Sequence, residues 1–236
     1  MQLFYSDTID GQFGSLNETE ARHCLRAMRM RTGDTLYVTD GFGRLYTAVL
    51  LDSTDKSCPF AVREVRDMPD PFPFRLHLAV APTKNEDRFE WLVEKAVEIG
   101  ITEISCLQCA HSERTTVRSD RIQRLMVSAM KQSLHFRLPA FNPQMTFKQL
   151  AGRPHPNSAQ CFIAYCGEDN DTLPLKQACC PGGDVTVLIG PEGDFSPEEV
   201  LEAKQNGFRP VSLGESRLRT ETAALVACAT IHFINQ

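Results

Sequence analysis

The 236-residue chain has no apolar run long enough to cross a bilayer, which argues against a membrane-spanning helix. Its first residues, MQLFYSDTIDGQFG, lack a basic segment followed by an apolar one, so no secretory signal peptide is expected. We therefore expect a cytoplasmic protein. The nine cysteines are odd in number and lie in mostly apolar surroundings, which favours reduced, buried thiols over a disulfide framework.

An excess of positive charge is also lacking. The formal net charge is −5, whereas nucleic-acid-binding proteins are usually basic, so the total charge argues against an RNA or DNA partner. Two local stretches oppose this balance, RHCLRAMRMR at 22–31 and ERTTVRSDRIQRLMVSAMKQSLHFR at 113–137. Each stretch alone is equally consistent with a solvated helix face. Two such stretches in one acidic chain favour an anionic partner.

A proline-rich segment, RDMPDPFPFR at 66–75, predicts a domain boundary near residue 71, because neither a helix nor a central strand passes through alternating prolines. Residues 1–71 contain short strands, a DGFG turn and a short helix, a pattern typical of a small β-barrel. In residues 72–236 strands alternate with helices. This alternation predicts an α/β domain with a mainly parallel sheet and ligands at the carboxyl ends of its strands.

The segment VTVLIGPEGDFSPEEV at 185–200 places a glycine-bracketed loop at the end of an apolar strand. It lacks the Lys-Ser/Thr of a phosphate-binding loop, and the chain lacks the G-x-G-x-x-G pattern of dinucleotide binding. Glu192 and Asp194 would also repel phosphate. We therefore expect a neutral or cationic ligand held by backbone groups, with Gly190 and Gly193 permitting close approach.

A second loop, residues 215–222, follows a predicted strand that ends at Gly214. The almost wholly apolar helix after it, residues 223–234, is expected to be buried in a core or a dimer interface. The two loops can therefore converge on one ligand. The plain alternative for the first loop is a tight turn before a capped helix that begins at Ser196.

At this point the sequence resembles a known family. LIGPEGDFSPEEV and SLGESRLRTETAAL together are similar to the RsmE-type ribosomal RNA uridine-N3 methyltransferases of the SPOUT, or α/β-knot, class. HCLRAMRMRTGDTLYVTDG is similar to the PUA-like N-terminal part of that family, and APTKNEDRFEWLVEKAVEIGITEISCL and SERTTV to its catalytic domain. Two departures stand out: Asp194 replaces a glycine, and KQSLHFR at 131–137 replaces an EQSGR-like segment.

The resemblance implies an α/β fold, in which a SPOUT trefoil-knot methyltransferase domain at 72–236 follows a PUA-like RNA-recognition β-barrel at 1–71. It implies a homodimer that uses S-adenosylmethionine to methylate N3 of a specific uridine in the decoding region of 16S ribosomal RNA. The expected partner is that RNA within the small ribosomal subunit. The alternatives are a non-catalytic RNA-binding protein on the same scaffold and an enzyme that binds a different nucleotide.

The resemblance also implies residue roles. Arg219 is expected to stabilise negative charge on the uracil oxygens, and Glu221 to orient Arg219 or accept the proton. The implied cofactor-binding residues are Tyr165, Gly167, Glu168, Leu188, Ile189, Gly190, Gly193, Leu213, Gly214, Leu218 and Thr220. The implied contacts with the RNA backbone are Arg22, Arg26, Arg29, Lys84 and Arg114. No metal is expected, because Cys106, Cys109 and His111 form only half of a zinc site.

Overall fold

The computed structural model describes residues 1–154, 159–167 and 172–236. The chain divides into two compact units, the first formed by Met1–Pro71 with Val127–Leu138 and the second by Phe72–Met126 with Pro139–Gln236. The division at Pro71 falls within the proline-rich segment. Residues 127–138, which the sequence places in the second domain, belong to the first unit.

The first unit is built on a five-stranded sheet in the order β1-β3-β4-β5-β2. Its strands are β1 (Leu3–Tyr5), β2 (Phe13–Leu16), β3 (Thr35–Thr39), β4 (Arg44–Leu50) and β5 (Cys58–Asp67). β3 and β4 form the antiparallel hairpin that the DGFG turn predicts. Helix α1 (Glu18–Arg22) continues into a π-helical turn (His23–Ala27) and contributes Ala21 and Cys24 to the core of this unit.

Residues 127–138 join the first unit through polar contacts that no local pattern signals. Lys131 forms an ion pair with Glu20, and the two side chains are only 16% and 8% exposed. The second carboxylate oxygen of Glu20 accepts a hydrogen bond from the Tyr5 backbone N–H at 3.2 Å. Arg137 donates from Nη1 to the Phe42 carbonyl oxygen at 2.9 Å. The KQSLHFR segment therefore anchors on the sheet of the first unit.

The second unit contains a seven-stranded sheet in the order β10-β12-β9-β11-β6-β7-β8, and every pair of neighbours is parallel. Its strands are β6 (Leu76–Val80), β7 (Glu103–Gln108), β8 (Ala140–Thr146), β9 (Gln160–Ala164), β10 (Leu173–Pro174), β11 (Val185–Ile189) and β12 (Arg209–Ser212). The helices of the remaining chain are α2 (Glu86–Ile99), α3 (Ser119–Gln132), α4 (Phe147–Ala151), α5 (Leu175–Ala178), α6 (Pro197–Gln205) and α7 (Thr220–Ile234). Helix α3 belongs partly to each unit, since the boundary between the two units falls after Met126.

Glycine and capping residues mark the end of one helix and the start of another. α2 ends at Gly100, which has a φ of 112°. A Cβ on Gly100 would lie 2.1 Å from a ring carbon of Phe72, so only glycine fits both the dihedral angle and the space. α6 begins with a capping box in which Ser196 and Glu199 each accept from the other's backbone N–H, as predicted.

α7 is only partly buried within the single chain. It begins at Thr220, three residues before the apolar run, and only one face is buried, with Ala224, Ala227 and Ile231 in the core. Phe233 on the other face is 73% exposed. The single chain thus buries one face of the helix in its core, and burial of the other face in a dimer interface stays a prediction. Among the described residues, no helix is both long enough and apolar enough to span a membrane.

Candidate functional site

A cleft of about 740 Å³ lies at the carboxyl ends of three adjacent strands, β12, β9 and β11. It is lined by residues 164–167 and 172 after β9, by 189–192 and 194 after β11, and by 211–220 and 223 around the end of β12. The structure thus brings together the two glycine-containing loops and a third loop after β9 that carries the expected Tyr165 and Gly167. Ligands of open α/β sheets bind at this edge.

Side-chain hydrogen bonds tie these three loops together. The Thr220 hydroxyl at the start of α7 donates to the Gly190 carbonyl oxygen at 3.2 Å. The Cys166 backbone N–H after β9 donates to Asp194 Oδ2 at 3.0 Å. Glu192 Oε1 accepts from the Lys84 backbone N–H at 3.0 Å, which holds the GPEG loop from its outer side. The loops therefore form one connected structure.

Arg219 stands at the rim of the cleft. It is the N-cap residue of α7, with extended backbone (φ −74°, ψ 157°), and its side chain is exposed. Glu221 lies two residues further along but is buried, with Oε1 3.8 Å from Nε of Arg88. The expected role of Glu221 as a direct proton acceptor does not fit this placement. Its ion pair with Arg88 instead links α2 to the first turn of α7.

Most of the expected cofactor-binding residues line the cleft. They are Tyr165, Gly167, Ile189, Gly190, Leu213, Gly214, Leu218 and Thr220. Leu188 is instead fully buried in the core, because its side chain points from a strand with helices packed on it. Gly193 faces His111. A Cβ added to Gly193 would lie 3.0 Å from the Cβ of His111, and His111 Nδ1 lies 3.1 Å from the Gly193 carbonyl oxygen. Glu168 lies outside the described residues.

Sequence reasoning missed Thr172, a lining residue whose hydroxyl oxygen is buried. This oxygen has no hydrogen-bond partner within residues 1–154, 159–167 and 172–236. A buried hydroxyl without a partner is costly, so a ligand group that bonds to it would be stabilised. Nothing in the local pattern marks this threonine, because it belongs to no motif.

The five expected RNA contacts are divided between the two units, with the arginines in the first and Arg114 and Lys84 in the second. Arg22 pairs with Glu18, Arg26 with Asp55, Lys84 with Glu113 and Arg114 with Glu86. Hydrogen bonding to the partner carboxylates raises the pKa of Arg26 and the pKa of Lys84, so both remain cations.

Four of these side chains thus already hold a carboxylate, and phosphate must compete for them. Exposed ion pairs of this kind are weak, so the competition is feasible. Arg29 has a left-handed backbone, with a φ of 56°.

Cysteine and histidine do not assemble a metal site in the described part of the chain. Cys106 and Cys109 are buried, and burial raises the pKa of Cys106 to about 12 and also raises the pKa of Cys109. Thiols of this kind stay protonated at neutral pH. All nine cysteines are free, and seven of them are buried, as the sequence predicts, while Cys166 and Cys180 are exposed.

Comparison with known protein families gives the class of the protein. The family model described as "RNA methyltransferase domain" matches residues 70–232, more than half of the chain, and "RNA methyltransferase PUA domain" matches residues 16–60. The chain belongs to this RNA methyltransferase family. The expected α/β class with a PUA-like N-terminal domain is thereby confirmed, and the trefoil knot stays a prediction.

The chain is also similar to individual proteins that carry more specific names. The chain is 29% identical over 227 residues to "Ribosomal RNA small subunit methyltransferase E" of Synechocystis, covering 92% of this chain and 72% of that protein. A probable rRNA-methyltransferase from Porphyromonas gingivalis is 42% identical, with a TM-score of 0.93 over 100% of this chain and 98% of that one. "Ribosomal RNA small subunit methyltransferase E" of Neisseria gonorrhoeae, bound to S-adenosyl methionine, is 27% identical, with a TM-score of 0.84 and coverage of 100% and 98%.

Proposed function

We propose that this chain transfers the methyl group of S-adenosylmethionine to N3 of a specific uridine in 16S ribosomal RNA. The observation that carries the proposal is the cleft in which three strand-end loops converge, with Arg219 at its rim. The names of the Synechocystis and Neisseria relatives and the ligand of the Neisseria structure support it. The uridine N3 target follows from the resemblance of the two loop motifs.

The residues of the cleft suit this cofactor. Ile189, Leu213 and Leu218 supply apolar surface for a neutral adenine ring. Glu192 places a carboxylate beside a cationic ligand and disfavours the phosphates of ATP or NAD. The Thr172 hydroxyl, which has no partner among residues 1–154, 159–167 and 172–236, offers a hydrogen bond.

The bound cofactor supplies an electrophilic methyl group on a sulfonium. With the cofactor bound, the sulfur–methyl bond would be exchanged for an N3–methyl bond, and the N3 proton would leave to water at the open cleft. Loss of this proton puts negative charge on the uracil oxygens. Arg219 stabilises that charge because its guanidinium is permanently charged and presents a planar fork of donors. Thr220 and Glu221 hold the start of α7, and therefore Arg219, in place through Gly190 and Arg88.

We further propose that the protein works in the cytoplasm as a homodimer on the small ribosomal subunit. The exposed apolar side of α7, which includes Phe233, is the surface that a second copy would cover. Arg22, Arg26 and Arg29 in the first unit would contact the RNA backbone, together with Lys84 and Arg114 in the second.

Two measurements test the proposal. Calorimetry should detect binding of S-adenosylhomocysteine, and no comparable binding of ATP or NAD. Small subunits from a strain lacking this chain should then gain one N3-methyluridine when incubated with the protein and S-adenosylmethionine, as read by nucleoside mass spectrometry. Cofactor binding without any methylation of RNA would favour the non-catalytic alternative, and binding of ATP or NAD alone would favour a different enzyme.

A further inference from the structure

Asp194 connects two of the loops that line the cleft. Its Oδ2 accepts a hydrogen bond from the Cys166 backbone N–H at 3.0 Å, across 28 residues of sequence. Its Oδ1 accepts from the Phe195 backbone N–H at 2.8 Å. Both carboxylate oxygens are therefore engaged with backbone donors of the protein itself.

The backbone of Asp194 is unusual. Its φ is 61°, in the left-handed region that glycine adopts far more readily than other residues. The Asp194 N–H donates to the Pro191 carbonyl oxygen at 3.0 Å, and its own carbonyl oxygen accepts from His111 Nδ1 at 3.0 Å. The turn is thus held at both ends, and the side chain is directed at the loop after β9.

The loop that receives this contact is tightly folded. A Cβ on Gly167 would lie 2.0 Å from a ring carbon of Tyr165, so the chain doubles back over that ring. Tyr165 packs against the core of the second unit. The bond from Cys166 to Asp194 therefore fixes the loop in a position that its own short sequence does not specify.

We propose that Asp194 is a positioning residue that holds the 165–167 loop against the GPEG loop and so sets the affinity of the cleft for its cofactor. The inference rests on the proposed function, since it takes the ligand of the cleft to be S-adenosylmethionine. A cofactor gripped mainly by backbone groups depends on the relative placement of the loops that carry them. Asp194 acts through that placement, because its two oxygens accept hydrogen bonds from backbone N–H groups of the two loops.

The test uses two substitutions of the full-length protein and two ligands. Asp194→Gly keeps the left-handed turn and removes both side-chain bonds, and we expect its affinity for S-adenosylhomocysteine to fall about tenfold, or about 1.4 kcal/mol. Asp194→Asn keeps one acceptor oxygen and should lose less. The loss should be equal for cationic S-adenosylmethionine and neutral S-adenosylhomocysteine. In the methylation assay the KM for cofactor should rise with little change in kcat.

A matched control is Asp184→Ala, which removes a side-chain acceptor outside the cleft. Asp184 Oδ1 accepts from the Arg75 backbone N–H at 3.0 Å, which is a similar long-range bond outside the cleft. Its loss should lower the melting temperature without changing ligand affinity.

Three results would overturn the inference. If the wild-type protein binds the ligands and Asp194→Gly binds them with unchanged affinity, the positioning role is refuted and the proposed function is not. A loss in Asp194→Asn confined to S-adenosylmethionine would show a charge effect instead. A wild-type protein that bound neither ligand would refute the proposed function and this inference with it.

Discussion

Lys131→Met should strongly destabilise the first unit, because it leaves the Glu20 carboxylate buried without its cation. The two side chains are 16% and 8% exposed, so water cannot replace the lost partner. The Tyr5 backbone N–H would still bond to Glu20 but carries no charge. Breaking a buried ion pair from one side typically costs about 3–5 kcal/mol, and we expect a loss in that range in the free energy of unfolding.

Urea unfolding followed by circular dichroism measures this loss, with Lys131→Arg as the control that keeps the charge. The double variant Lys131→Met/Glu20→Gln should recover much of the stability, because it removes both charges together. Equal destabilisation of the single and double variants would show that the pair is not the cause. A loss below about 1 kcal/mol for Lys131→Met would show that the pair behaves as a surface contact.

Three further outcomes are expected. Gly100→Ala should lose about 2–4 kcal/mol of stability in thermal unfolding, because the added Cβ would lie 2.1 Å from Phe72 and the backbone is left-handed. The control Gly207→Ala has a φ of 86° and no atom within 4 Å of the added Cβ, so it should lose only the stability that the left-handed backbone costs. Equal losses in the two variants would contradict this account. Burial lowers the pKa of His232, so its neutral form stabilises the fold, and stability should fall as the pH drops below about 6.5, by at most about 1.4 kcal/mol per pH unit. His232→Gln should remove this part of the pH dependence in urea unfolding, and an unchanged profile would contradict it. Sedimentation at micromolar concentration should show a dimer that Phe233→Glu disrupts, whereas a single 26.4 kDa species in the wild type would contradict the proposed assembly.

Local signals account for much of the fold. The apolar strand run before the GPEG loop and the capping box at Ser196 each act within a few residues, so sequence reasoning finds β11 and the start of α6. The sequence does not predict β8, because its residues, AFNPQMT, include Pro143 and polar side chains. An edge strand tolerates both.

Long-range contacts account for what the sequence could not reveal. The placement of Glu221 depends on Arg88, which is far away in the chain, and the grouping of 127–138 depends on Glu20. The link from Asp194 to Cys166 likewise has no local pattern. The loops themselves were identifiable because their glycines and the strands before them are local features. The side chains that hold those loops together were not.

Single-turnover methylation of small subunits, with saturating S-adenosylmethionine and subunits from a strain lacking this chain, tests the central claim most directly. The wild-type protein should form N3-methyluridine, and Arg219→Ala should do so about 100-fold more slowly with little loss of RNA affinity. Arg26→Ala, the matched control in the first unit, should bind RNA more weakly and with a smaller salt dependence while its rate at saturating RNA stays unchanged. A wild-type protein that transfers no methyl group, or an Arg219→Ala variant that loses RNA affinity but no rate, would contradict the catalytic account.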